Sequence, residues 1–500
     1  MTDFEKKFKE FGLTYDDVLL KVQYSDIDPA TVNVETQITK KIRLKIPILS
    51  AAMDTVTEAK MAIGLALEGG LGVIHRNMSP EQEAFEVEKV KRFESGFVED
   101  PLTLAPDNTL ADAKEINKKY SGIPITSDGS SNGKLVGLLT SKDYYFDDPY
   151  TDLIKDYMTP FEDLVIAYDG ITLEEANKKL KESKKGKVLV INNDTDRKLV
   201  SIVCRKDLEK NYQFPFACKD ENKRLRVAAA VGPTDYEVRV EALVKAKVDA
   251  VVIDTAHGYS KNVLYTIKAI KNNYENLEVI AGNVATKEGV EALISAGADA
   301  IKVGIGPGAI CTTRVVAGVG VPQATAVYEC AKAAGDIPII ADGGIKYSGD
   351  IAKAIGLGAA AVMIGSLFAG TDEAPGEIYI TEDHSVFKSY RGMGSIGAMQ
   401  KGSADRYSQQ INNGQLTKKL VPEGIEGMVP AIGPLKDHVY QMIGGLRQAM
   451  GYCGAQNITE FQKRAEFVRT MTSTAAKESH PRVPIVKKAP NYPMDESDSL

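Results

Sequence analysis

Eight short apolar runs recur along the chain, and they constrain its fold more than any other feature of the sequence. They are IPILSA (47–52), LGVIH (71–75), RVAAAVG (226–232), DAVVIDTA (249–256), EVIAGNV (278–284), DAIKVGI (299–305), IPIIADGG (337–344) and AAVMIGS (360–366). Continuous runs of Val, Ile and Ala are typical of strands buried on both faces, as in parallel sheets covered by helices. The runs therefore predict an α/β fold with a parallel sheet.

The segments between the runs have the spacing of amphipathic helices. YEVRVEALVKAK, KEGVEALISAG and SGDIAKAIGLG place apolar residues at helical intervals and end near glycine or a small residue. A weak internal repeat leads into three of the runs, as AKVDA (246–250), AGADA (296–300) and LGAAA (357–361). Eight such units predict a (β/α)8 barrel with its active site at the carboxyl ends of the strands. The competing interpretation is an open doubly wound sheet, but no GxGxxG motif opens a first βαβ unit.

A long interval between the second and third runs has a different texture. Residues 97–212 contain charged helix-like segments and short strand-like runs in two similar halves, with a helix expected from Thr109 and another from Thr172. A segment that repeats itself is expected to form a domain with its own core. The predicted limits are 97–150 and 158–212 for the two halves, and 1–96 with 213–500 for the barrel domain.

Composition and charge exclude several classes of protein. The net charge is −7 and there is no long basic run, which argues against nucleic acid as the main partner. The N-terminus has no apolar signal core, and no stretch approaches the roughly 18 apolar residues of a membrane span. Five scattered cysteines without CxxC spacing argue against a disulfide framework or a zinc site. The chain ends in SDSL, which is no peroxisomal signal, so the expected location is the cytoplasm.

The stretch IKVGIGPGAICTTR (301–314) presents a thiol on a glycine-rich loop. Glycines allow a ligand to approach the backbone closely, and Cys311 is a candidate nucleophile because a thiolate attacks electrophilic carbon. A glycine-rich turn with an unreactive cysteine is an equally good interpretation of this stretch alone.

Polar residues at the ends of other runs indicate a nucleotide site. Asp254 and Asn283 lie at the ends of the fourth and fifth runs, and Asp342 precedes two glycines at the end of the seventh. Glycine-rich turns after strands seven and eight commonly form the phosphate site of a barrel, and Asp342 could accept hydrogen bonds from a ribose diol. The set predicts a nucleoside monophosphate bound with its base near Cys311.

Six motifs together resemble the inosine-5′-monophosphate (IMP) dehydrogenase family, which has GMP reductase as a close relative. They are SAAMDTVTE (50–58), GVIHRNMSPEQE (72–83), GIGPGAICTTR (304–314), ADGGI (341–345), GSLFAGTDEAPGE (365–377) and SYRGMGS (389–395). The resemblance covers essentially the whole chain. It implies oxidation of IMP to xanthosine monophosphate (XMP) with NAD⁺, a step of guanine nucleotide synthesis.

The resemblance also implies roles for individual residues. Cys311 attacks purine C2, a hydride passes to NAD⁺, and water activated by Arg406 and Tyr407, with help from Thr313, hydrolyses the covalent thioimidate. An arginine base needs a strong local shift or a relay through Thr313, because the pKa of arginine lies above about 12. The residues implied for IMP are Met53, Asp342, Gly343, Gly344, Gly365, Ser366, Tyr390, Gly392, Met393, Gly394 and Glu423. Those implied for NAD⁺ are Asp254, Asn283, Gly304 and Gly306.

The C-terminal third is predicted to contain a flap, a last helix and a tail. Residues 389–428 are rich in Gly, Ser and Gln without a clear apolar period, which predicts a mobile catalytic flap. The amphipathic stretch 435–455 is expected to close the barrel, and the Pro-rich, acidic residues 486–500 are expected to form a tail.

A monovalent cation and an oligomer follow from the same resemblance. It implies that K⁺ is held by backbone carbonyls of one subunit and of the C-terminal segment of its neighbour, in a homotetramer. The residues implied are Gly306, Gly308 and Cys311 in the loop, and Glu478, Ser479 and His480 in the neighbouring segment. The other interpretation of the ESH sequence is a solvated helix end.

The two halves of 97–212 resemble tandem cystathionine-β-synthase-type (CBS) repeats, which commonly bind adenine nucleotides in a regulatory role. Thr140 and Asp143 fit the ribose-binding pattern, and the expected effector is an adenine or guanine nucleotide. In the second repeat, Cys204 stands where a threonine would precede Asp207. A purely structural pair of repeats is the alternative.

Ala309 departs from the family pattern, which has a serine whose hydroxyl contacts the substrate phosphate. Without this hydroxyl one hydrogen bond to the phosphate is lost. We therefore expect IMP to bind more weakly by about 1.5–3 kcal/mol, with the chemistry retained. Two rival functions stay open, namely GMP reductase, which normally lacks the CBS pair, and a catalytically silent nucleotide-sensing scaffold. The insertion and the Arg406–Tyr407 pair are expected to favour the dehydrogenase.

Overall fold

The computed structural model divides the chain into two compact units. Unit 1 comprises Met1–Lys91, Phe216–Cys218 and Leu225–Leu500, and unit 2 comprises Arg92–Pro215 and Lys219–Arg224. The structure describes residues 11–93, 97–98, 101–117, 122–205, 213–407, 409, 420–470, 479–481, 483 and 489–492. Much of the predicted flap, from 410 to 419, and most of the predicted tail lie outside these residues. The limits of unit 2 differ by a few residues from the predicted 97 and 212.

Unit 1 is built on a closed barrel of eight parallel strands. They are β1 (Ile48–Ser50), β2 (Leu71–Ile74), β3 (Val227–Val231), β4 (Ala250–Asp254), β5 (Glu278–Val284), β6 (Ala300–Val303), β7 (Ile339–Asp342) and β8 (Ala361–Ile364). Neighbours in sequence pair in parallel, and β8 pairs with β1 to close the ring. Each strand lies within one of the eight apolar runs. The predicted barrel is confirmed, and the open doubly wound sheet is wrong.

One helix follows each strand or its terminal loop. They are α1 (Ala59–Leu67), α2 (Pro80–Lys91), α3 (Tyr236–Lys245), α4 (Lys261–Asn273), α5 (Lys287–Ala296), α6 (Gln323–Ala334), α7 (Ser348–Gly356) and α8 (Leu435–Tyr452). Local sequence explains their ends. For α5, the Thr286 hydroxyl accepts the Gly289 N–H, and Gly297 ends the helix with a φ of 107° that other residues rarely adopt.

The aspartates of the repeated AKVDA and AGADA sequences make the same kind of contact between neighbouring strands. The Asp249 carboxylate accepts the Val227 N–H at 2.8 Å and the Lys91 ammonium at 2.6 Å. The Asp299 carboxylate accepts the Val279 N–H at 2.8 Å, and Lys271 completes the pair at 2.9 Å. Each aspartate thus joins the start of its strand to the preceding strand, at the end of the barrel away from the predicted site.

The barrel interior is filled by small and branched side chains, and a hairpin closes its amino-terminal end. The strands of the hairpin are Thr36–Gln37 and Arg43–Leu44. Its apolar side chains join the barrel core, whose members include Ile38, Ile42, Leu44, Ala228, Ala250, Val252, Ile280, Ala300 and Ile340. This end of the barrel is packed, whereas a cavity opens at the carboxyl ends of the strands.

The predicted irregular flap contains regular structure. Val386–Arg391 pairs with Ile378–Ile380 and with Glu426–Pro430 in an antiparallel sheet, and Ile396–Lys401 is helical. The helix begins where the Ser395 hydroxyl accepts the Ala398 N–H at 3.3 Å, and it buries Ala398 and Met399. The prediction of an irregular segment was wrong for this part, because a single buried turn leaves little periodicity in a Gly- and Ser-rich sequence.

The remaining elements of unit 1 are short. The helical ones are Tyr15–Asp17, Pro29–Thr31, Thr313–Val316, Ser366–Ala369, Ser403–Tyr407 and Ile458–Arg464, and the two strands Val18–Leu20 and Phe467–Arg469 pair with each other. Within the part of the chain that the structure describes, no helix is both long and apolar enough to cross a membrane.

Unit 2 consists of two halves that exchange strands. The first half contributes Phe97–Val98, helix Leu110–Asn117, Ile123–Thr126 and Leu135–Leu139, and the second contributes Thr159–Pro160, Ile166–Tyr168, helix Leu173–Ser183, Lys187–Ile191 and Leu199–Cys204. The first strand of each half pairs with the last strand of the other half. The Leu135 N–H donates to the Arg197 carbonyl at 2.8 Å, and the Leu199 N–H donates to the Gly133 carbonyl at 3.0 Å. Equivalent positions thus make reciprocal bonds about a pseudo-twofold axis.

Candidate active site

A cavity of about 350 Å³ lies at the carboxyl ends of the barrel strands. It brings together most of the residues that the sequence singled out. Those lining it are Met53, Asp254, Asn283, Gly304, Gly306, Gly308, Ala309, Cys311, Thr313, Asp342, Gly343, Gly344, Gly365, Ser366, Tyr390, Gly392, Met393, Arg406, Tyr407 and Glu423. Gly394, Ser479 and His480 do not line it, and Glu478 lies outside the described residues.

The loop after β6 holds the thiol within this cavity. The Cys311 sulfur lies 3.1 Å from the Thr313 hydroxyl, and the Cys311 N–H donates to the Gly308 carbonyl at 3.1 Å. A β-carbon on Gly304 would overlap the Asp342 carbonyl oxygen, so only glycine lets the loop leave the strand this close to β7. The Cys311 thiol is therefore held by its backbone beside a hydroxyl.

The segment around Glu423 supports the thiol loop from above. The Thr312 N–H donates to the Glu423 carbonyl at 2.9 Å, and the Ile425 N–H donates to the Ile310 carbonyl at 3.1 Å. These bonds form a short antiparallel bridge between residues 310–312 and 423–425. They place Glu423 at the cavity on a segment far from Cys311 in sequence.

One end of the cavity is rich in backbone N–H groups. Gly343 and Gly344 follow β7, while Gly365 and Ser366 begin a short helix after β8. The Tyr390 hydroxyl contacts the Met53 sulfur at 3.9 Å, and burial raises the pKa of Tyr390, so it stays a neutral donor. Ala309 is exposed in the same cavity. This end suits an anion, since its groups are donors.

Lys302 is a buried cation that the sequence analysis did not single out. Its ammonium lies 2.8 Å from an Asp254 oxygen and 2.7 Å from an Asp342 oxygen, and it also contacts the Asn283 amide oxygen. Asn283 in turn donates to the Gly304 carbonyl at 2.8 Å and to Asp342 at 2.9 Å. A lysine inside an otherwise apolar strand run was the available signal, because a buried ammonium needs carboxylate partners.

Gln323 is a second residue that the sequence analysis missed. Its amide nitrogen donates to the Val303 carbonyl at 2.9 Å and to the Asp342 carbonyl at 3.1 Å. It is nearly fully buried, and it ties the ends of β6 and β7 together beneath the thiol loop. Gln323 begins helix α6, where a glutamine carries no local signal for such a contact.

Arg406 contacts Asp254 at the other end of the cavity. Its guanidinium pairs with the second Asp254 oxygen, and its carbonyl accepts the Ala256 N–H at 3.0 Å. Burial lowers the pKa of Arg406, Tyr407 opposes that shift, and the charge of Arg76 adds to it. Of the groups that shift this pKa, Tyr407 is the one that favours the charged guanidinium.

A neighbouring ion pair fixes the segment that carries Arg406. Arg76 binds both oxygens of Asp405, at 3.0 and 2.7 Å, and the Thr234 hydroxyl donates to the same carboxylate at 2.6 Å. Burial raises the pKa of Asp405, but Arg76 and Thr234 outweigh it and the net shift is downward. We name Arg76, Asp405 and Thr234 the latch. None of these three residues was predicted from the sequence to be functional.

The Tyr407 ring lies 5.9 Å from the central guanidinium carbon of Arg406. Burial raises the pKa of Tyr407, and the charges of Cys311 and Glu423 add to that shift while Arg406 opposes it. A β-carbon on Gly394 would lie 2.7 Å from the Tyr407 ring. Gly394, predicted to contact the substrate, therefore lies behind Tyr407 and makes room for its ring.

The candidate cation site has free acceptors on the thiol loop. Within the described residues, no hydrogen bond reaches the carbonyl oxygen of Gly306 or of Cys311, while that of Gly308 accepts the Cys311 N–H. In the same part of the chain, no cluster of three or more His, Cys, Asp or Glu side chains could hold a metal. His480 contacts the Tyr492 hydroxyl at 2.7 Å and lies near the Tyr347 ring. The loop carbonyls fit a monovalent cation, which binds oxygen atoms.

In unit 2, the Thr140–Asp143 motif closes on itself. The Asp143 carboxylate accepts the Thr140 N–H at 2.6 Å and the Thr140 hydroxyl at 2.9 Å. Cys204 ends the last strand of the second half, and Asp207 lies outside the described residues. Ribose binding at Thr140 stays a prediction.

Comparison with known proteins gives consistent matches along the chain. The family model described as "IMP dehydrogenase / GMP reductase domain" matches residues 12–482. Inosine-5′-monophosphate dehydrogenase of Aquifex aeolicus is 53% identical, over 99% of this chain and 100% of the relative. The enzyme of the same name from Bacillus subtilis is 52% identical, over 98% and 99%. A crystal structure of a GMP reductase variant from Trypanosoma brucei in complex with guanosine 5′-monophosphate has a TM-score of 0.85 and 38% identity, covering 96% of this chain and 99% of that one.

Proposed function

The chain belongs to the IMP dehydrogenase / GMP reductase family, and from this premise we propose that it oxidises IMP to XMP with NAD⁺ in guanine nucleotide synthesis. The observation that carries the proposal is the position of Cys311. Its sulfur lies in one cavity with an anion-binding end and with the Arg406–Tyr407 pair. This arrangement supplies a nucleophile, a place for a nucleotide phosphate and groups that can activate water.

IMP is oriented by the two ends of the cavity. Its phosphate is bound by the N–H groups after β7 and β8 and by the Tyr390 hydroxyl, and Asp342 accepts hydrogen bonds from the ribose diol. Met393 and Gly392 face the base, with Glu423 at its N1 edge. In this orientation purine C2 lies within reach of the Cys311 sulfur.

Cys311 begins the first half of the reaction. Its thiolate adds to C2 while the C2–N3 double bond opens onto N3, and the double bond re-forms as a hydride, one proton with two electrons, leaves C2 for NAD⁺ as the acceptor. The substrate is oxidised, NAD⁺ is reduced to NADH, and a thioimidate remains on Cys311. Asp254 and Asn283, with the backbone at Gly304 and Gly306, hold the dinucleotide.

Arg406 and Tyr407 perform the second half. Water adds to C2 of the thioimidate, its proton passes to the Arg406–Tyr407–Thr313 group, and the C–S bond breaks to release XMP and the Cys311 thiol. Burial and the nearby Arg76 charge both lower the pKa of Arg406, which favours its action as a base. Because Arg406 contacts Asp254, it occupies part of the dinucleotide space and must exchange with NAD⁺ in each cycle.

GMP reductase remains the rival function. The sequence suggested two features that would separate the two activities, the insertion and the Arg406–Tyr407 pair, and the first does not. The matched GMP reductase structure covers 96% of this chain, which leaves too little unaligned to omit unit 2. The expectation that the insertion separates the two activities is therefore wrong. The Arg406–Tyr407 pair still favours the dehydrogenase, since hydrolysis needs activated water.

An assay of both reactions tests the proposal. Incubation with IMP, NAD⁺ and K⁺ should produce NADH, and Cys311→Ala should abolish it while still binding IMP. Consumption of NADPH with GMP, and no NADH from IMP, would establish the reductase. Neither reaction, together with binding of a nucleotide to unit 2, would establish the nucleotide-sensing scaffold.

We further propose the finer properties that the family resemblance implies. K⁺ binds the carbonyls of Gly306, Gly308 and Cys311, and residues 478–480 of a neighbouring chain complete the site in a homotetramer. The two halves of unit 2 are CBS repeats that bind an adenine or guanine nucleotide, and the protein acts in the cytoplasm. Activity that rises with K⁺ and falls on dilution below the tetramer concentration would support the cation site.

A further inference from the structure

Lys388 is a buried lysine that the proposed chemistry does not use. It lies in the strand Val386–Arg391, and only 5% of its surface is exposed. Side chains two residues apart in a strand point to the same face, so Lys388 and Tyr390 share the buried face of this strand. A buried ammonium is costly unless acceptors replace its water, so the contacts of Lys388 indicate what it holds in place.

The acceptors of the Lys388 ammonium are two backbone carbonyls that follow the short helix Ser366–Ala369. They belong to Thr371, at 2.7 Å, and to Ala374, at 2.6 Å. The Thr371 N–H and hydroxyl both donate to the Phe368 carbonyl, at 3.0 and 2.8 Å. Within the part of the chain that the structure describes, Lys388 is the only hydrogen-bond donor to the Ala374 carbonyl. Lys388 therefore holds the carboxyl-terminal end of this helix.

Tyr390 lies against the opposite end of the same helix. A β-carbon on Gly365 would lie 2.9 Å from the Tyr390 hydroxyl, so this hydroxyl lies beside the residue that precedes the helix. Residues two apart in a strand are separated by about 6.7 Å, and a helix of about four residues is about 6 Å long. The spacing of Lys388 and Tyr390 along the strand thus matches the length of the helix, and one face of the strand holds both ends of it.

We propose that Lys388 is a positioning residue for the substrate phosphate, because it fixes the helix Ser366–Ala369 against the strand that carries Tyr390. The inference rests on the proposed function, in which the Ser366 N–H and the Tyr390 hydroxyl bind one phosphate. These two donors lie on segments that Lys388 joins. Without its ammonium, the buried Ala374 carbonyl would lack a donor, and the helix would shift relative to Tyr390.

The affinity for IMP relative to inosine tests this role, because inosine lacks the phosphate. In a Cys311→Ala protein, IMP binding is measured by titration calorimetry, and inosine binding is measured by displacement of IMP. Lys388→Met in this background keeps a side chain of similar length and removes the donor, so IMP should bind roughly tenfold more weakly and inosine equally well. A lysine that only stabilised the fold would lower the unfolding temperature in Lys388→Met and leave the ratio of the two affinities unchanged. An unchanged ratio would overturn the proposal.

Lys60→Met is the matched control. The Lys60 ammonium donates to the Asp372 carbonyl of the same loop at 2.6 Å, but Lys60 is exposed, so water can replace it. The ratio of the affinities for IMP and inosine should therefore stay at the parent value. A fall in the ratio as large as that in Lys388→Met would overturn the specific role of Lys388.

Hydrogen exchange in the unmodified protein provides the test if Lys388→Met does not fold. Saturation with IMP should slow amide exchange in residues 366–374 and in residues 386–391 together, because the phosphate binds both segments. Inosine should slow exchange in neither. Protection of 366–374 by IMP without protection of 386–391 would overturn the proposal.

The outcomes also distinguish this inference from the proposed function. NADH formation from IMP by the unmodified protein, together with a ratio of affinities that Lys388→Met does not alter, would overturn the positioning role alone. If the Cys311→Ala protein bound no IMP, and the unmodified protein formed no NADH, the dehydrogenase function would be overturned as well.

Discussion

Ala309 leaves the phosphate end of the cavity with a methyl group where a hydroxyl could donate. It is exposed beside Gly308, while the neighbouring donors on Ser366 and Tyr390 remain in place. The chemistry at Cys311 does not depend on this position. The affinity for the substrate phosphate does.

Ala309→Ser should therefore tighten IMP binding. A hydrogen bond to a charged phosphate contributes about 1.5–3 kcal/mol, so the KM for IMP should fall roughly ten- to hundredfold with kcat little changed. Steady-state titration of IMP measures it. Ala317→Ser, exposed outside the cavity, serves as the control. An unchanged KM for IMP in Ala309→Ser would contradict the expectation.

The roles of some site residues could be predicted from the sequence, and the roles of others could not. Cys311, Asp254 and Asp342 stand beside glycines or at the ends of apolar runs, so a strand pattern and a motif were enough to bring them into one cavity. No local sequence pattern indicates the roles of Lys302 and Gln323, since their hydrogen-bond partners come from other strands. These roles arise only when the barrel closes and brings their acceptors within 3.1 Å.

At the level of elements, the latch decides where the 3₁₀ helix Ser403–Tyr407 lies. Arg76 comes from the loop after β2 and Thr234 from the loop after β3, and both bind Asp405. The Ala256 N–H holds the same turn from the end of β4. Three strand ends thus hold the turn that carries Arg406 into the dinucleotide space.

Breaking the latch should shift the exchange between this turn and NAD⁺. Arg76→Gln removes the bidentate pair, so NAD⁺ should bind roughly tenfold more tightly while hydrolysis slows and a burst of NADH precedes steady turnover. Rapid-mixing measurements of NADH detect the burst. As a control, Lys287→Gln removes an exposed ion pair with Glu291. It should change neither the affinity for NAD⁺ nor the burst of NADH. Weaker NAD⁺ binding without a burst would refute the role of the latch.

Asp54 should make the stability of the flap sheet depend on pH. It binds Arg391 of the strand Val386–Arg391 at 3.0 and 2.5 Å and accepts the Asn77 amide at 2.7 Å. Burial raises the pKa of Asp54, but these hydrogen bonds outweigh it and the net shift is downward from 3.8. A carboxylate with a lowered pKa contributes stability above its unfolded pKa, and the contribution is lost as the pH falls through the folded value.

Comparison of Asp54→Asn with the parent tests that dependence. The variant should be less stable by about 3 kcal/mol above roughly pH 5, and the difference should shrink below roughly pH 4. Urea unfolding at several pH values measures it. Glu275→Gln, at an exposed position, serves as the control. A difference that stays constant down to acid pH would exclude this role of Asp54.

The elements were predicted unevenly for a physical reason. Barrel strands are continuous apolar runs because both faces are buried, and this pattern survives without any tertiary information. The strands Ile378–Ile380 and Glu426–Pro430 are mostly exposed, so burial imposes no pattern on them. Their pairing with Val386–Arg391 depends on contacts between distant segments.

At the scale of the whole molecule, unit 1 contains every strand of the barrel and every residue lining the cavity. The chain leaves it after Lys91, returns at Phe216–Cys218 and returns for good from Leu225 onward, and the Lys91 ammonium donates to the Leu225 carbonyl at 3.1 Å. The points of exit and return therefore lie close together. An insertion at such a place leaves the barrel closed.

Replacing residues 92–215 with a short Gly/Ser linker should preserve catalysis. The strands of the barrel and the residues lining the cavity all lie outside that segment, so NADH formation from IMP should stay within about threefold of the parent. Steady-state assay and thermal unfolding of the shortened protein check this. A shortened protein that folds but forms no NADH would place an essential group in unit 2.

The two halves of unit 2 depend on each other for complete sheets. Each half has given its opening strand to the sheet of the other, through Phe97–Val98 and Thr159–Pro160. A single copy would retain an open sheet edge and lack the strand that completes it. One half expressed alone is therefore expected to complete its sheet only by pairing with a second identical molecule, which would supply the missing strand.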